Sequence, residues 1–464
     1  MVVDIPNCIA GSFEQGENKR ILKDYTGKDT AQISHPTPAQ LRRAKRTIAH
    51  LESPQSIPLS DIIHTIQKAV SIYYPEEQLR LCSALTGMPY QNFQKTLEEF
   101  RDWVENIEDY LTMAFGTPNY TRIPLLIGDE EIAYEKYVAQ APLIAILPRN
   151  SEIEAAYVIV QALLARTPMI IKSPSTHAGP LSAIELVRAL EKTVDPDLKK
   201  LIESISIVSM PGTNREEIIE RLAIDDSTYL IFGSEKTIQT VTRSLEKHEP
   251  RKIISMGTGL SVSIIAHDAP LDEAAEEVCL AAASDQGNEC LSTNIVYVHE
   301  QIADVFTERL KEKAHEYTAG DPFSDTLIGA IHPDDTARIA AATRHLPGSV
   351  RGLPETVHLS VFELEDHHHF EEYPGPLIGI RTYQNEKDLE EKFKGDLTHN
   401  GLKKNLVTAI FTNDPHLVDH IVERFPSHTF RHNRGSHRMN FLLEHQSIYL
   451  IKEFLDKRIV EISR

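Results

Sequence analysis

Between residues 141 and 258, short apolar runs alternate with helix-length segments, and this alternation constrains the fold more than any other feature of the chain. The apolar runs lie near 143–147, 168–172, 204–209, 228–232 and 252–255. The segments between them, 152–165, 180–193, 215–223 and 235–246, carry helical periodicity. Strands joined by connections of that length run parallel, because a parallel neighbour needs a crossover of a dozen residues or more. The spacing predicts an α/β fold with a mainly parallel, Rossmann-type sheet. A second α/β run comes next, with strand 261–266, helix 271–283, strand 294–298, helix 300–316, a turn at Gly320-Asp-Pro and a mixed pattern over 340–425.

The first 120 residues read as mostly helical. Thr37-Pro38-Ala39-Gln40 has the form of a capping box with proline at the first helical position, opening a helix through about Ser53. Amphipathic stretches lie at 59–71, 76–86 and 90–114, and Gly116-Thr-Pro ends the last. Residues 121–140 turn extended, and the tail runs Ser447-Ile-Tyr-Leu-Ile-Lys and Arg458-Ile-Val-Glu-Ile predict strands for pairing between subunits. The chain divides accordingly into a helical N-terminal part of the cofactor domain (1–120), bridging strands (121–140), a cofactor domain (141–258), a catalytic domain (259–435) and a C-terminal return segment (436–464).

A length of 464 residues sets a starting expectation of two or three domains. The formal net charge is −20, from 48 Lys+Arg against 68 Asp+Glu, which repels nucleic acid and anionic lipid as principal partners. It leaves room for a phosphorylated cofactor, which needs only local donors and a helix N-terminus. The four cysteines, Cys8, Cys82, Cys279 and Cys290, form no C-x-x-C pair and too sparse a set for a disulfide scaffold. Met1-Val-Val-Asp-Ile-Pro lacks the basic-then-apolar form of a signal peptide. No apolar run approaches the roughly 20 residues that span a bilayer. These features predict a cytoplasmic chain acting on a delivered substrate.

The strongest local constellation is Ser284-Asp285-Gln286-Gly287-Asn288-Glu289-Cys290-Leu291-Ser292, where an apolar helix runs into a glycine-containing turn that presents one cysteine before a strand. Such a turn can hold a thiolate on a rigid support with backbone N–H groups nearby. Free cysteine is as often a small buried hydrophobe, and local chemistry leaves both readings open. The apolar or terminal contexts of Cys8, Cys82 and Cys279 favour burial. In Leu147-Pro148-Arg149-Asn150-Ser151-Glu152-Ile153-Glu154 a strand ends, Ser151 and Glu154 have capping-box spacing, and Asn150 stands where an amide could donate to an oxyanion or simply shape the turn. Lys172, in Met169-Ile-Ile-Lys172-Ser173-Pro174-Ser175, sits at a strand's carboxyl end, and Ile231-Phe232-Gly233-Ser234-Glu235 is a strand-to-helix junction suited to phosphate.

Taken in order, these segments resemble the aldehyde dehydrogenase superfamily over roughly residues 120–435, and within it the LuxC-type acyl reductases of bacterial luminescence. Pro148-Arg149-Asn150 is similar to the P-W-N motif with its oxyanion asparagine, and Lys172-Ser173-Pro174-Ser175 to the K-P-x-E that holds the adenosine ribose. Phe232-Gly233-Ser234 is similar to F-x-G-S near the pyrophosphate, with the phenylalanine moved one place, and Asp285 to Cys290 is similar to N-Q-G-Q-x-C. Glu371-Glu372-Tyr373-Pro374-Gly375-Pro376 is similar to E-E-x-F-G-P, whose second glutamate binds the nicotinamide ribose. The resemblance implies Cys290 and Asn150 as catalytic residues, Lys172, Ser175, Gly233, Ser234 and Glu372 as cofactor-binding residues, and a homo-oligomer.

Two departures refine this. Where aldehyde-oxidising members have E-L-G-G-K, whose glutamate activates water, this chain has Met256-Gly257-Thr258-Gly259-Leu260, and methionine cannot take a proton. A thioester on Cys290 should then survive to be reduced, which implies an acylating oxidoreductase that makes fatty aldehyde from acyl-CoA, acyl-AMP or an acylated protein, with a synthetase and a transferase as partners in the family. Ser175 replaces the glutamate that would repel a 2′-phosphate, which favours NADPH over NAD. The alternatives are an atypical NADP-dependent dehydrogenase that oxidises aldehydes, and a non-catalytic relative. No metal site is expected: His367-His368-His369 are consecutive and cannot converge on one ion. His428, His432 and His437 read as a surface loop from which His432 could approach the cleft as an acid, and Arg42 to Arg46 reads as a solvated helix face.

Overall fold

The computed structural model describes residues 2–51, 56–148, 153–176, 178–210, 215–257, 259–332, 336, 339, 359–364, 375–438 and 440–462. Its framework is two large, mainly parallel sheets and two three-stranded ones. The first large sheet has the order Lys252–Gly257, Thr228–Gly233, Leu143–Ile146, Met169–Ser173, Ile205–Ser209, Asn7–Ile9 and Ser12–Glu14. Its first five strands are parallel, in a register that sets Phe232 beside Met256 and Gly233 beside Gly257. Leu143–Ile146, Met169–Ser173 and Ile205–Ser209 are buried end to end, as near-continuous apolar strands are when helices cover both faces. The helices Glu154–Leu164, Leu181–Thr193, Arg215–Leu222 and Glu235–Leu245 supply the crossovers that the spacing predicts.

The expectation of a mostly helical N-terminal part fails before Pro38. Val3–Ile5, Asp29–His35 and Asn18–Lys23 form a separate three-stranded sheet, and the hairpin Asn7–Ile9 and Ser12–Glu14 extends the large one against Ile205–Ser209. Three-residue strands are too short to show a period of two, and in Asn18–Lys23 only Leu22 is buried. From Pro38 on the helices appear as expected. Gln40 N–H donates to Thr37 Oγ1 at 3.1 Å and Thr37 N–H to Gln40 Oε1 at 2.8 Å, closing the capping box of Pro38–His50. The stretch 90–114 divides into Tyr90–Glu105 and Ile107–Phe115, because the Asn106 amide bonds back to the Asp102 carbonyl at 2.8 Å in competition with helix continuation.

The second large sheet is parallel throughout: Ser360–Glu363, Leu377–Tyr383, Thr293–His299, Ser261–Ile265, Asn405–Phe411 and Ser427–His432. The last small sheet, Leu455–Glu461, Glu130–Ala139 and Ile123–Ile127, is antiparallel. The Arg458 run is thus a strand, as expected, but it pairs within its own chain. The Ser447 run is not one: its end forms the short helix Leu450–Glu453, which buries Leu450 and Ile451 in the core around the first sheet. Among the described residues, no helix is long and apolar enough to cross a membrane.

Candidate active site

The helix Leu271–Ala283 ends in a tight turn, Ser284–Gly287, in which Asp285, Gln286 and Gly287 all have positive φ (45°, 59° and 72°). Two of the three are not glycine, so the backbone there is held against its preference by its surroundings. Gln286 is buried and donates to the Ala330 carbonyl at 2.9 Å. Hydroxyls pin residues 289–292 to their neighbours. Ser261 Oγ donates to the Cys290 carbonyl at 2.9 Å, Ser292 Oγ to the Ser284 carbonyl at 3.2 Å, and Ser284 Oγ to Glu289 Oε2 at 2.8 Å. Cys290 packs beside Leu291, Leu406 and Val407 and is half-buried, whereas Cys8, Cys82 and Cys279 are fully buried. Burial pushes the Cys8 thiol up to about 12 and raises that of Cys279, which leaves both protonated and inert near neutral pH.

Cys290 opens onto a cavity of about 1240 Å³. One wall is the end of the first sheet: Phe232, Gly233, Ser234 and Thr237, with Met256 and Gly257 from the neighbouring strand. Ser234 caps the helix Glu235–Leu245, its hydroxyl accepting from Thr237 N–H at 3.3 Å. A Cβ at Gly233 would come within 3.0 Å of Thr237 Cγ2, so glycine keeps this approach to the helix N-terminus open. Lys172 and Ser175 are buried at the end of Met169–Ser173 and do not line this cavity. Burial lowers the Lys172 amine to about 8. Asn150 and Glu372 lie outside the described residues, as do Arg149, Ser151, Thr258 and His367 to His369. The helix after Asn150 starts at Glu154 itself, with Ile153 at the cap and no side-chain cap bond, so Glu154 does not stand three places into a capping box.

The opposite wall is apolar. Trp103, Tyr157 and Phe441 cluster with ring centroids 4.9 to 5.9 Å apart, and Phe93, Leu97 and Met88 continue the surface. Between the walls stand two carboxylates that sequence reasoning missed, Glu154 and Glu289. Both are partly exposed to the cleft, with the rest of each side chain packed within the protein. Burial, with Glu289's charge beside it, pushes Glu154 up to about 7; burial raises Glu289 too, against the Ser284 hydrogen bond and the Arg431 charge. His437 and His445 also line the cavity and are lowered to about 4 by burial, so they are neutral. His432 does not reach it. Its ring bonds the Thr412 carbonyl at 3.0 Å, and Asn433 bonds the same residue. Arg42 and Arg46 are exposed and Arg43 pairs with Glu14, as a solvated helix face would. Among the described residues, no group of His, Cys, Asp and Glu could hold a metal ion.

A nucleotide-type sheet whose end shares a cavity with a cysteine on a strained turn defines a two-sheet α/β fold with the thiol between the sheets. The chain belongs to the aldehyde dehydrogenase family, whose pattern matches residues 13–344. The D-glyceraldehyde dehydrogenase (NADP+) of Picrophilus torridus is 25% identical over 307 residues, 60% of this chain and 57% of that enzyme. The lactaldehyde dehydrogenase of Methanocaldococcus jannaschii is 24% identical over 330 residues, 70% of this chain and 68% of the other. The match thus spans little more than half of the Picrophilus enzyme's length. An NAD-dependent aldehyde dehydrogenase from Sinorhizobium meliloti superposes with a TM-score of 0.83 at 14% identity, covering all of this chain and 95% of that one. A 3,6-anhydro-L-galactose dehydrogenase in complex with NAP superposes at 0.78 and 15% identity, covering 99% and 100%. At such identities the superpositions establish the fold alone.

Proposed function

We propose that this protein is an NADP-dependent aldehyde dehydrogenase that oxidises apolar aldehydes through a thioester on Cys290. One observation carries the reading: Cys290, the Gly233–Ser234 junction and the aromatic wall of Trp103, Tyr157 and Phe441 share a single cavity. The Cys290 thiolate attacks the aldehyde carbon, and the Asn150 amide stabilises the oxyanion. Ser234 and the N–H groups at the start of the helix Glu235–Leu245 would hold a pyrophosphate, Lys172 and Ser175 the 2′-phosphorylated ribose, and Glu372 the second ribose. A bound nicotinamide supplies the hydride acceptor that turns the thiohemiacetal into the thioester. Residues 141–258 then serve as the cofactor domain and 259–435 as the catalytic one, with the hairpin of residues 7–14 added to the former. Exposed Leu126, Ile127 and Ile459 on the antiparallel sheet support a homo-oligomer, and a cytoplasmic location is part of the same proposal.

The reverse direction, reduction of a long-chain acyl thioester, adenylate or acyl-protein to aldehyde, is a second reading favoured by one observation. Met256, which the sequence resemblance matches to the glutamate of oxidising members, lies on the cavity wall. The named relatives are aldehyde dehydrogenases, one of them NADP-dependent, which supports oxidation. Initial rates of NADP+ reduction with straight-chain aldehydes, measured beside NADPH oxidation with the matching acyl-CoA, separate the two. Faster oxidation to free acid supports the proposal; faster aldehyde release from acyl-CoA replaces it with the second reading.

A further inference from the structure

Because Met256 cannot take a proton, a thioester on Cys290 needs its water activated from elsewhere. Glu289 precedes Cys290 on the same turn, and both line the cavity. The turn holds the carboxylate in place: Ser284 Oγ donates to Glu289 Oε2 at 2.8 Å, and Ser292 N–H donates to the Glu289 carbonyl at 2.9 Å. Three further charged groups face it, each from a different element. Glu154 comes from the helix Glu154–Leu164, Glu99 from Tyr90–Glu105 and Arg431 from the strand Ser427–His432. Arg431 donates through Nη1 to the carbonyls of Gly435 and Ser436, so its charge offsets those carboxylates while its hydrogen bonds are used elsewhere.

We propose that Glu289 is the general base of deacylation, taking a proton from the water that attacks the Cys290 thioester. This rests on the oxidising reading above. The water oxygen bonds to the thioester carbon as its proton passes to Glu289. The carbon–sulfur bond then breaks, Sγ leaves as thiolate, and the carboxylic acid is released. The Glu289 proton returns to solvent through the cleft, and no electrons are exchanged. Burial raises Glu289 while the Ser284 hydrogen bond and the Arg431 charge hold it back, so the carboxylate is available as a base near neutral pH. The same chemistry explains how methionine at 256 is tolerated.

The test uses p-nitrophenyl butyrate and no nucleotide, so that acylation and deacylation are read on the thiol alone. Wild type should give a stoichiometric burst of nitrophenolate and then turnover that rises with pH as Glu289, raised by burial, ionises. E289Q should keep the burst, lose turnover by about 100-fold or more and accumulate an acyl adduct on Cys290 by mass spectrometry. M256E in the E289Q background should restore turnover at least tenfold. Turnover of E289Q within twofold of wild type overturns the proposal, as does loss of its burst together with its turnover, or a wild type that bursts without turning over. A wild type that hydrolyses the ester but reduces NADP+ with no aldehyde contradicts the functional reading and leaves Glu289's role standing.

Discussion

Gly287 and Gly375 meet backbone to backbone. The Gly375 N–H donates to the Gly287 carbonyl at 3.3 Å, and a Cβ on Gly287 would overlap the Gly375 carbonyl oxygen. The turn that presents Cys290 is thereby locked to the segment that opens the strand Leu377–Tyr383. Gly287 also has φ of 72°, so both space and conformation demand glycine.

Gly287→Ala should cost about 2–3 kcal/mol in urea unfolding, through positive-φ strain and displacement of the Gly375 backbone. It should also slow acylation of Cys290, because the turn must shift. A loss under about 0.5 kcal/mol with an unchanged burst would show that the turn is not fixed by this contact.

Glu154 gives the stability a readable pH dependence. Its folded pKa, about 7, lies above that of the unfolded chain. The contribution is therefore fully present below the unfolded value and is lost as pH rises through 7. At pH 8, Glu154→Gln should be more stable than wild type by on the order of 2–3 kcal/mol, and the difference should shrink by pH 5. Parallel urea titrations at the two pH values check it; equal differences at both would contradict the burial of this carboxylate.

Lys172 is a buried amine lowered to about 8. An anionic ligand would restore its charge, so binding of NADP+ should take up protons near pH 8 and weaken above it. Lys172→Met should weaken NADP+ binding about tenfold, the ~1.4 kcal/mol of one charge-assisted contact, and remove this pH dependence. Calorimetry in buffers of different ionisation enthalpy reads both. Unchanged affinity in the variant would take Lys172 out of the cofactor site.

The aromatic wall predicts a chain-length series. Each methylene buried against Trp103, Tyr157 and Phe441 should raise kcat/KM up to about fourfold, the ~0.8 kcal/mol of one buried CH2, until the wall is covered. Trp103→Ala should flatten that slope. Equal kcat/KM for ethanal and octanal would place the substrate elsewhere.

The sequence showed the site's strands and turns better than its interior. Alternation made the first sheet legible because strands such as Met169–Ser173 are buried throughout and read as apolar runs. The Cys290 turn was legible from a glycine among polar residues beside a lone thiol. The hairpin at residues 7–14 was hidden by its short strands. Glu154 and Glu289 were hidden for another reason: as residue types they suit a helix start and a solvated turn, and only tertiary packing removes them from water. One sign was available for Glu154, which opens a helix whose other ten residues are all buried. His437 and His445 reach the cavity, and the Arg431 charge reaches Glu289, from far along the chain, which no local pattern reports.

The most direct measurement of the central claim is intact and peptide mass spectrometry of protein mixed with p-nitrophenyl butyrate and quenched within the burst. A single butyryl addition mapped to Cys290 is expected in wild type, with neither adduct nor burst in Cys290→Ala. An adduct on another residue, or a full burst in Cys290→Ala, would contradict Cys290 as the nucleophile.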